Sequence, residues 1–361
     1  MRRQRLGILL HDFSLGGTER IALRLAGEWT RRGREVSIFC GDPQGALRAG
    51  VPEGIRVISP LKPIARAWTS RRQLGVWAGA ACRSAEIEGL FIPGNFHFAS
   101  LPALSAGRSS AMVLVCKLSN PVKRPDRSPL AQQYSQMRMA TRLRNADAVV
   151  AMSTALAEDA RIGLGGLPFM VIEEPILDDH PPDGDDPPAE RQGIVAAGRF
   201  VPQKNFGLAV QALARVADQE ANLTIVGDGA ELKQVREIAR NMGLAERVHL
   251  PGRVSDVRQF LRGSRVLLLS SRYEGFPAIA VEALANGARI VATDCSPAIR
   301  EIISSPDFGE IVPTRDPLDL AAAVDRQLNE APVARRAIGR LHRRFGLGRS
   351  AQRYLELFDS L

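Results

Sequence analysis

Two glutamates flank a sharp turn in the second half of the chain, in the segment Glu274-Gly275-Phe276-Pro277-Ala278-Ile279 that runs on to Glu282. Residues 267–271 before it are an apolar run ending in two serines, and a helical stretch follows it as far as Gly287. Pro277 suits the first position of a helix, because its missing N–H would have no partner there. The N-terminus of a helix presents N–H groups to an anion. The turn therefore offers donors for a phosphate and two carboxylates for hydroxyl groups, which is the chemistry that holds a sugar nucleotide.

A pair of cations forms a second group of candidate residues. Arg199 follows the apolar run 194–197 and Gly198, and Lys204 lies five positions later, where a helix is predicted to begin. Two cations at the carboxyl end of a strand can bind a diphosphate and stabilise it as its charge develops. The alternative is a pair of surface cations without a function. We favour the diphosphate interpretation, because the placement repeats the strand-end position of Glu274.

Glycines follow several other predicted strands. Gly16 and Gly17 separate the first strand from the first helix, where backbone can approach a phosphate closely, although a tight turn without a ligand would have the same sequence. Their spacing is not GxGxxG, and no acidic residue ends the second strand as expected, which disfavours a dehydrogenase. Asp228, between two glycines, is interpreted as a helix N-cap, and Gly252 as a neighbour of a base. All these turns lie at the sheet edge where open α/β proteins bind ligands.

Short apolar runs alternate with helical stretches, which predicts an α/β protein with parallel sheets. Strands are predicted at 5–10, 35–40, 55–58, 89–92, 112–116, 148–151, 169–172, 194–197, 222–226, 247–250, 265–269, 288–292 and 311–312. A length of 361 residues suits two domains rather than one core. Residues 173–193 hold five prolines and eight acidic residues without any strand or helix period. We therefore predict a first domain at 1–172, a linker at 173–192 and a second domain at 193–346, followed by a last segment at 347–361.

The net charge of +9 is unevenly distributed. Residues 1–172 carry 24 Lys and Arg against 12 Asp and Glu, whereas residues 173–361 carry 24 against 27. This asymmetry indicates that the first half faces something anionic. Basic and aromatic residues do not interleave and aromatic residues are only 5%, so nucleic acid is disfavoured. An anionic membrane surface or a phosphate-bearing acceptor fits better, and an arginine-rich solvated surface is the open alternative.

The apolar runs and the cysteines of the sequence indicate where in the cell the protein is expected. No apolar run is long enough to span a bilayer, and the run at 6–10 is too short for a signal peptide. The four cysteines are far apart and are predicted to be core thiols of a reducing compartment. They are Cys40, Cys82, Cys116 and Cys295. The expected location is the cytoplasm, including the inner face of the membrane.

Taken together, these motifs resemble the family 4 retaining glycosyltransferases of GT-B fold, and the resemblance covers nearly the whole chain. The motifs are GGTER at 16–20, GRFVPQKN at 198–205, VGDG at 226–229, PGRV at 251–254 and EGFPAIAVEALANG at 274–287. The last is the most specific. The resemblance implies two Rossmann-like parallel-sheet domains facing across a cleft. It also implies a metal-independent enzyme that needs no cofactor and moves a sugar from a nucleoside diphosphate sugar to an acceptor hydroxyl with retention of configuration.

The resemblance also assigns roles to residues. Arg199 and Lys204 would bind the donor diphosphate, Glu282 the ribose hydroxyls and Glu274 the donor sugar; Arg199, Lys204 and Glu274 would be the catalytic residues. The helix predicted at 349–360 would pack back on the first domain. The donor-binding residues expected on this basis are Gly16, Gly17, Arg199, Lys204, Gly252, Glu274, Gly275, Phe276, Pro277, Ala278, Ile279 and Glu282.

The acceptor side departs from the family pattern, in which a histidine often follows the fourth or fifth strand. Here the fifth strand is followed by Lys117 and Asn120, and His97 follows the fourth. These three residues are the candidates for the acceptor side, with Lys117 facing a phosphate-bearing acceptor. The open alternative for His97 is a structural role, which is the more common one for a lone histidine in a loop. The acceptor implied is a saccharide or a lipid-linked saccharide in the synthesis of a cell-surface polysaccharide or glycolipid. The alternatives are a GT-B nucleotide-sugar epimerase and a non-catalytic nucleotide-sugar-binding subunit.

Overall fold

A computed structural model describes residues 3–14, 16–181 and 191–361. The chain folds into two compact units, Met1–Pro175 together with Leu347–Leu361, and Ile176–Gly346. Of the predicted linker 173–192, residues 173–175 belong to the first unit and 176–181 to the second. Residues 182–190 lie outside the described part of the chain. Ile176 and Leu177 are buried in the core of the second unit, so the described start of the predicted linker is part of the folded protein.

The first unit is built on a seven-stranded parallel sheet in the order β3-β2-β1-β4-β5-β6-β7. Its strands are β1 (Arg5–Asp12), β2 (Glu35–Asp42), β3 (Arg56–Ile58), β4 (Gly89–Ile92), β5 (Val113–Lys117), β6 (Ala148–Ala151) and β7 (Met170–Val171). The central strand β1 pairs with β2 on one side, Leu6 opposite Val36, and with β4 on the other, Leu6 opposite Gly89. Its side chains are buried from Leu6 to Asp12, as expected for a parallel strand covered on both faces.

Helices cover both faces of this sheet. They are α1 (Gly17–Arg31), α2 (Ser70–Ser84), α3 (Leu101–Gly107), α4 (Pro129–Leu143) and α5 (Thr154–Gly163), with a 3₁₀ segment at Asn95–Ser100. The apolar residues Leu6, Ile8 and Leu10 of β1 lie in the core that contains α1, whereas Leu9 lies in the core that contains α2. This alternation follows from the period of two in a strand.

The second unit has a six-stranded parallel sheet in the order β10-β9-β8-β11-β12-β13. Its strands are β8 (Ile194–Ala197), β9 (Leu223–Val226), β10 (Val248–Gly252), β11 (Val266–Leu269), β12 (Arg289–Thr293) and β13 (Gly309–Val312). Its helices are α6 (Phe206–Leu213), α7 (Leu232–Asn241), α8 (Arg258–Gly263), α9 (Ala278–Ala285), α10 (Ile299–Ile302), α11 (Pro317–Leu328) and α12 (Arg335–Phe345). The strand order reverses direction at β8 and β11, which are neighbours although two strands separate them in sequence. Open α/β sheets bind ligands outside the carboxyl ends of their strands at such a reversal.

The last helix, α13 (Leu347–Ser360), belongs to the first unit. Trp29 of α1 is its anchor: the indole N–H donates to Ala351 O at 3.1 Å, and the ring packs edge-on against Tyr354 and Phe358. Aromatic contacts of this geometry are stabilising beyond the area they bury. The return of the C-terminal segment to the first unit is thus fixed by a buried aromatic cluster.

Every predicted strand is present, with its ends shifted by at most two residues. Between the strands of the first unit the sequence also predicts helices at 73–88 and 128–145. The first corresponds to α2, which begins and ends earlier, and the second to α4. All four cysteines are buried and free, and burial raises the thiol pKa of Cys40, Cys82 and Cys295 to about 12. Among the described residues, no helix is both long and apolar enough to cross a bilayer.

Candidate functional site

Glu274 lies at the centre of a polar cluster at the carboxyl edge of the second sheet, between β11 and α9. Its Oε1 lies 2.6 Å from Lys204 Nζ and accepts a hydrogen bond of 2.6 Å from Ser271 Oγ. Gln203 Nε2 donates to Oε2 at 3.5 Å, and the backbone N–H of Glu274 donates to Cys295 O at 2.7 Å. Only 8% of the Glu274 side chain is exposed. The lysine ammonium therefore compensates for the burial of the carboxylate.

The loop after β8 is held against the loop after β11 by hydrogen bonds to main-chain carbonyls. Arg272 N–H donates to Gln203 O at 2.8 Å, and Ser270 Oγ donates to Lys204 O at 3.0 Å. Gln203 Nε2 also donates to Tyr273 O at 2.9 Å. Because β8 and β11 are adjacent strands, these bonds join two turns that are about 70 residues apart in sequence. Lys204 and Glu274 are thus positioned by backbone as well as by their own ion pair.

Lys204 reaches Glu274 because Gly198 leaves room for its side chain. Gly198 has φ +149, and a Cβ at this position would lie 2.9 Å from Lys204 Cε. The next residue after the lysine, Asn205, has φ +52 and precedes the first residue of α6. The left-handed region favours Gly and tolerates Asn. The motif at 198–205 therefore fixes the path of the lysine as well as supplying it.

Two more glycines allow the loop after β9 to pack backbone against backbone on this motif. A Cβ on Gly227, with φ +144, would lie 1.9 Å from Gly198 O, and a Cβ on Gly229, with φ +152, would lie 2.6 Å from Phe200 O. No side chain other than hydrogen fits at such distances. The Gly-Asp-Gly sequence is therefore explained by close packing against the loop that carries Arg199 and Lys204.

Asp228 is not the N-cap that we predicted. Helix α7 begins at Leu232, and the residue before it makes no side-chain capping bond. Asp228 Oδ1 instead accepts a hydrogen bond of 2.7 Å from the N–H of Gly229. The prediction is wrong because the turn needed for close packing separates Asp228 from the helix start.

Arg199 differs from Lys204 in its surroundings. Its side chain is exposed, and within residues 3–14, 16–181 and 191–361 no ion pair or side-chain hydrogen bond engages it. Lys204, in contrast, is already paired with Glu274. The loop after β8 thus presents one open cation and one cation that shares its charge with a carboxylate.

The turn 275–279 leads into α9 as predicted, but the helix begins one residue later than the position predicted for Pro277. Helix α9 begins at Ala278, so Pro277 precedes the first helical residue instead of occupying it. Gly275 O accepts a hydrogen bond of 2.6 Å from Ser296 Oγ, and the Phe276 ring packs on Phe345 at a centroid distance of 5.8 Å. Ala278 and Ile279 are half-buried. The turn is therefore anchored on both sides at the N-terminus of the helix.

Glu282 and Gly252 lie on neighbouring parts of the same unit. Glu282 is half-buried in the second turn of α9. It lies close enough to Arg258, the first residue of α8, for its charge to affect the pKa of that arginine. The pKa of Arg258 is raised, mainly by its hydrogen bond with Asp256 and in smaller part by Glu282. Gly252 ends β10 with φ +80, and its carbonyl accepts from Gly227 N–H at 2.9 Å. The structure thus places Glu282 on the helix that follows Glu274, and Gly252 beside the Gly-Asp-Gly turn.

In the first unit, Gly16 and Gly17 lie at the start of α1. Gly16 precedes the helix in an extended conformation, and a Cβ there would lie 2.1 Å from Glu19 Oε2. Gly17 is exposed and has open space around its Cα. Burial raises the pKa of Glu19. The space beside the Cα of Gly16 is therefore occupied by the Glu19 carboxylate, whereas the space beside the Cα of Gly17 is empty.

His97 lies at the carboxyl edge of the first sheet but is buried. Its Nε2 accepts a hydrogen bond of 3.1 Å from the backbone N–H of His11, and its Nδ1 has no partner among the described residues. Burial, reinforced by the neighbouring His11, lowers the pKa of His97 to about 4. His97 is therefore neutral at physiological pH, with its proton on Nδ1.

His11 and Asp12, which are not among the residues predicted from the sequence, lie at the end of β1 beside His97. Asp12 accepts two hydrogen bonds from Arg66, at 2.5 and 3.0 Å, and lies 3.1 Å from His11 Nδ1. Burial raises the pKa of Asp12, but the bonds from Arg66 and Ser14 outweigh it and hold the pKa well below its usual range. The sequence signal for this cluster is a pair of adjacent polar residues directly after the predicted apolar run 5–10.

Lys117 does not face an acceptor. It is 0% exposed, and its Nζ lies 2.6 and 2.8 Å from the two carboxylate oxygens of Glu174. The expectation that Lys117 contacts a phosphate is corrected by this pair, because the ammonium is already neutralised in the interior. Glu174 lies in the acidic stretch that the sequence assigned to a linker, so the partner was not expected.

Asn120 is exposed and belongs to a small network between two loops. The Asn95 side-chain carbonyl accepts from the N–H groups of Ser119 at 2.8 Å and Asn120 at 3.2 Å. This network joins the loops after β4 and β5 next to His97. Among the described residues, no group of three or more His, Cys, Asp and Glu side chains could hold a metal ion.

Comparison with known proteins assigns both units to the same kind of protein. Residues 185–342 match the family model described as glycosyl transferases group 1, and residues 16–169 match that described as glycosyl transferase 4-like domain. Each match coincides with one structural unit. Together they leave little of the chain outside a glycosyl transferase family.

Two curated relatives illustrate the sequence similarity. The amylovoran biosynthesis glycosyltransferase AmsD of Erwinia amylovora is 33% identical over 34% of this chain and 36% of its own length. A Campylobacter jejuni enzyme, N-acetylgalactosamine-N,N'-diacetylbacillosaminyl-diphospho-undecaprenol 4-alpha-N-acetylgalactosaminyltransferase, is 28% identical over 33% of this chain and 32% of its own. The chain spans between 20% and 50% of the length of the curated relatives it matches.

Similarity in fold extends over the whole chain. The Anabaena protein Alr3699/HepE, solved in complex with UDP and glucose, superposes with a TM-score of 0.80 over 99% of this chain and 100% of that chain. The sequence identity is 20%, so the comparison concerns the fold. The prediction of two Rossmann-like units of GT-B type is confirmed.

Proposed function

Because the chain belongs to the group 1 glycosyl transferases, we propose that it moves a sugar from a nucleoside diphosphate sugar to a hydroxyl of a saccharide acceptor, with retention of the anomeric configuration. The observation that carries the proposal is the Lys204–Glu274 pair at the carboxyl edge of the second sheet. The exposed Arg199 and the N-terminus of α9 lie on the same loops. This edge supplies cations for a diphosphate and carboxylates for hydroxyl groups.

In the proposed donor complex, Arg199 and Lys204 bind the diphosphate, and the backbone of 275–279 adds N–H donors at the helix start. Lys204 then divides its charge between phosphate and Glu274, whose carboxylate accepts from a sugar hydroxyl. Glu282 accepts from the ribose hydroxyls. Gly252 adds a backbone contact in the second unit, and the donor-binding role of Gly16 and Gly17 stays a prediction of the family pattern.

The proposed reaction needs no protein nucleophile. The bond between the anomeric carbon and the diphosphate breaks, and the acceptor oxygen forms its bond on the same face of the sugar. The acceptor proton goes to a phosphate oxygen of the leaving nucleoside diphosphate. Arg199 and Lys204 stabilise that diphosphate as its negative charge increases, which is the usual source of a large rate effect. Neither a metal ion nor a cofactor enters these steps.

The acceptor we propose is a saccharide of a cell-surface polysaccharide or glycolipid, carried on a lipid diphosphate. Relatives named for amylovoran and lipopolysaccharide core biosynthesis, and one named for a diphospho-undecaprenol substrate, support this class. The acceptor-side residues are proposed to be Asn120 and the cluster of His97, His11 and Asp12, which share one edge of the first sheet.

A donor-turnover assay tests the proposal. The full chain is incubated with a panel of UDP-, GDP- and ADP-sugars, with and without lipid-linked saccharides, and the released nucleoside diphosphate and the sugar products are measured. We expect one of the donors to release its nucleoside diphosphate, and we expect an acceptor to accelerate this release. The sugar product should have the same anomeric configuration as the donor. Conversion of the sugar without an acceptor would identify an epimerase, and donor binding without any turnover would identify a non-catalytic subunit.

A further inference from the structure

The loop between β3 and α2 and the exposed side of α4 share an unusual composition. Apolar side chains that are more than half exposed lie among arginines and a lysine. In the loop, Leu61 and Trp68 are 108% and 92% exposed, and Val76 of α2 is also exposed. On α4, Leu130, Tyr134 and Met137 are exposed along one face, and Leu143 is the helix's fully buried residue. Together these apolar residues and the cations beside them form what we call the arginine-apolar face.

The two parts of this face adjoin each other. Helices α2 and α4 both pack against the 3₁₀ segment Asn95–Ser100. The Arg66 and Arg71 guanidinium groups lie 4.9 and 5.2 Å from the centre of the Phe96 ring in that segment. The charge of Arg71 on α2 lowers the pKa of Arg142 on α4. The arginines of the two helices therefore belong to one surface.

Three arginines of this face lack carboxylate partners, whereas Arg66 is paired with Asp12. Elsewhere, exposed arginines are commonly paired, as Arg258 is with Asp256 and Arg326 with Glu310. By contrast, Arg71, Arg138 and Arg142 form no ion pair with any described carboxylate. Arg138 and Arg142 are also one helical turn apart, where like charges are destabilising. Burial lowers the pKa of Arg142, and the charges of Arg138 and Arg71 lower it further.

We propose that the arginine-apolar face docks on an anionic phospholipid bilayer, with Leu61, Trp68, Tyr134 and Met137 entering the interface and Arg71, Arg138 and Arg142 contacting lipid phosphates. The charge of the face is complementary to such a surface, and helices with apolar and arginine-rich sides lie in bilayer interfaces. Trp and Tyr are the side chains that favour that depth. Phe96 joins the face to His97, so docking brings the acceptor-side edge of the first sheet towards lipid-borne substrates.

Co-sedimentation with vesicles tests the proposal. The full chain is mixed with phosphatidylcholine vesicles with and without phosphatidylglycerol, at low and high salt. We expect binding to the anionic vesicles that weakens with salt. Each arginine near an anionic surface contributes about 1 kcal/mol, so R138Q/R142Q weakens binding by about 30-fold. L61S/W68S loses apolar insertion and weakens binding by on the order of tenfold or more.

The matched control is R258Q/R326Q, which removes the same charge from exposed arginines of the second unit. It should bind like the unmodified chain, and equal loss in this control would show that only net charge matters and would overturn the proposal. Failure of the unmodified chain to bind anionic vesicles, or equal binding to neutral ones, would also overturn it. The measurement needs neither donor nor acceptor, so its outcome is independent of the proposed transfer reaction.

Tryptophan fluorescence gives a second readout. Of the three tryptophans, Trp29 is buried and Trp77 is half-buried, whereas Trp68 is 92% exposed. Insertion should shift the emission of Trp68 to shorter wavelength when anionic vesicles are added. The variant W68F should bind with nearly unchanged affinity but show no such shift. A shift that persists in W68F would contradict the placement of Trp68 at the interface.

Discussion

Lys204 Nζ lies 2.6 Å from Glu274 Oε1, and the carboxylate of this pair is 8% exposed while the lysine side chain is 18% exposed. The two residues come from loops after adjacent parallel strands, and Ser271 supplies a second donor to the same oxygen. In the absence of a diphosphate, the lysine charge stabilises a nearly buried carboxylate. Donor binding would redirect part of that charge, so the pair connects recognition of the sugar with stabilisation of the leaving group.

The variant K204A should lose this connection. We expect transfer to fall on the order of a hundredfold or more, comparable to removal of a preorganised charge stabiliser. The rate of sugar transfer and the thermal midpoint of unfolding are measured together, because Glu274 loses its cation. The control K233A removes an exposed lysine on α7 of the same unit and should leave transfer unchanged. Near-normal turnover of a folded K204A would remove Lys204 from the catalytic group.

The variant E282Q should weaken nucleotide binding more than it alters stability. Its half-buried carboxylate is proposed to accept from two ribose hydroxyls, and an amide offers one acceptor oxygen and no charge. Charge-assisted hydrogen bonds are worth about 1.5–3 kcal/mol, so the dissociation constant should rise roughly 10- to 100-fold. Calorimetry with the nucleoside diphosphate measures it, with E237Q, an exposed glutamate on α7, as control. Unchanged affinity in E282Q would refute the ribose contact.

The variant G227A should disrupt the packing of the loops that carry the cation pair. A methyl group at this position would lie 1.9 Å from Gly198 O, a backbone atom that cannot move aside independently of Lys204. The informative comparison is G243A, which has φ +70 but open space around its Cβ position. Backbone strain alone costs about 1–3 kcal/mol in each variant. We expect G227A to lose stability and donor affinity and G243A to lose stability only, as measured by urea unfolding and calorimetry.

The parallel α/β architecture could be predicted because its signals are local. Apolar runs such as 194–197 and 266–269 are short, continuous and bounded by turn residues. The same argument placed Arg199, Lys204 and Glu274 at strand ends. It could not pair Lys204 with Glu274, because that contact depends on β8 and β11 being adjacent, which is a property of the sheet order.

Lys117 shows why the same argument failed in the first unit. Lys117 is the last residue of a buried strand, and Arg199 and Lys204 likewise follow one. However, the segment after β7 brings Glu174, which is 57 residues away in sequence, into contact with Lys117. A lysine at a strand end is free or neutralised according to what the rest of the chain places beside it. Local sequence cannot distinguish these two outcomes.

The variant K117M should therefore be unstable but repairable. Removing one partner of a buried ion pair typically costs 3–5 kcal/mol, roughly what we expect from urea unfolding of K117M. The double variant K117M/E174L should recover most of that loss and retain sugar transfer, since the pair is structural. Charge removal at the exposed pair Arg161–Glu158 serves as the control and should change stability little. A stable K117M/E174L that no longer transfers sugar would restore an acceptor-side function to Lys117.

The acid sensitivity of the first unit should depend on His97. Burial lowers its pKa from an ordinary value of 6.5 to about 4, so the unfolded chain binds a proton at pH values where the folded chain does not. Stability should be unaffected by this group above pH 6.5 and should fall progressively as the pH is lowered from about 6.5 to about 4, by roughly 3 kcal/mol in total. The variant H97Q keeps an acceptor for the His11 N–H but cannot be protonated. Urea unfolding of both proteins across this range should give a difference that diminishes towards acid pH, whereas parallel curves would show that His97 is not held neutral by the fold.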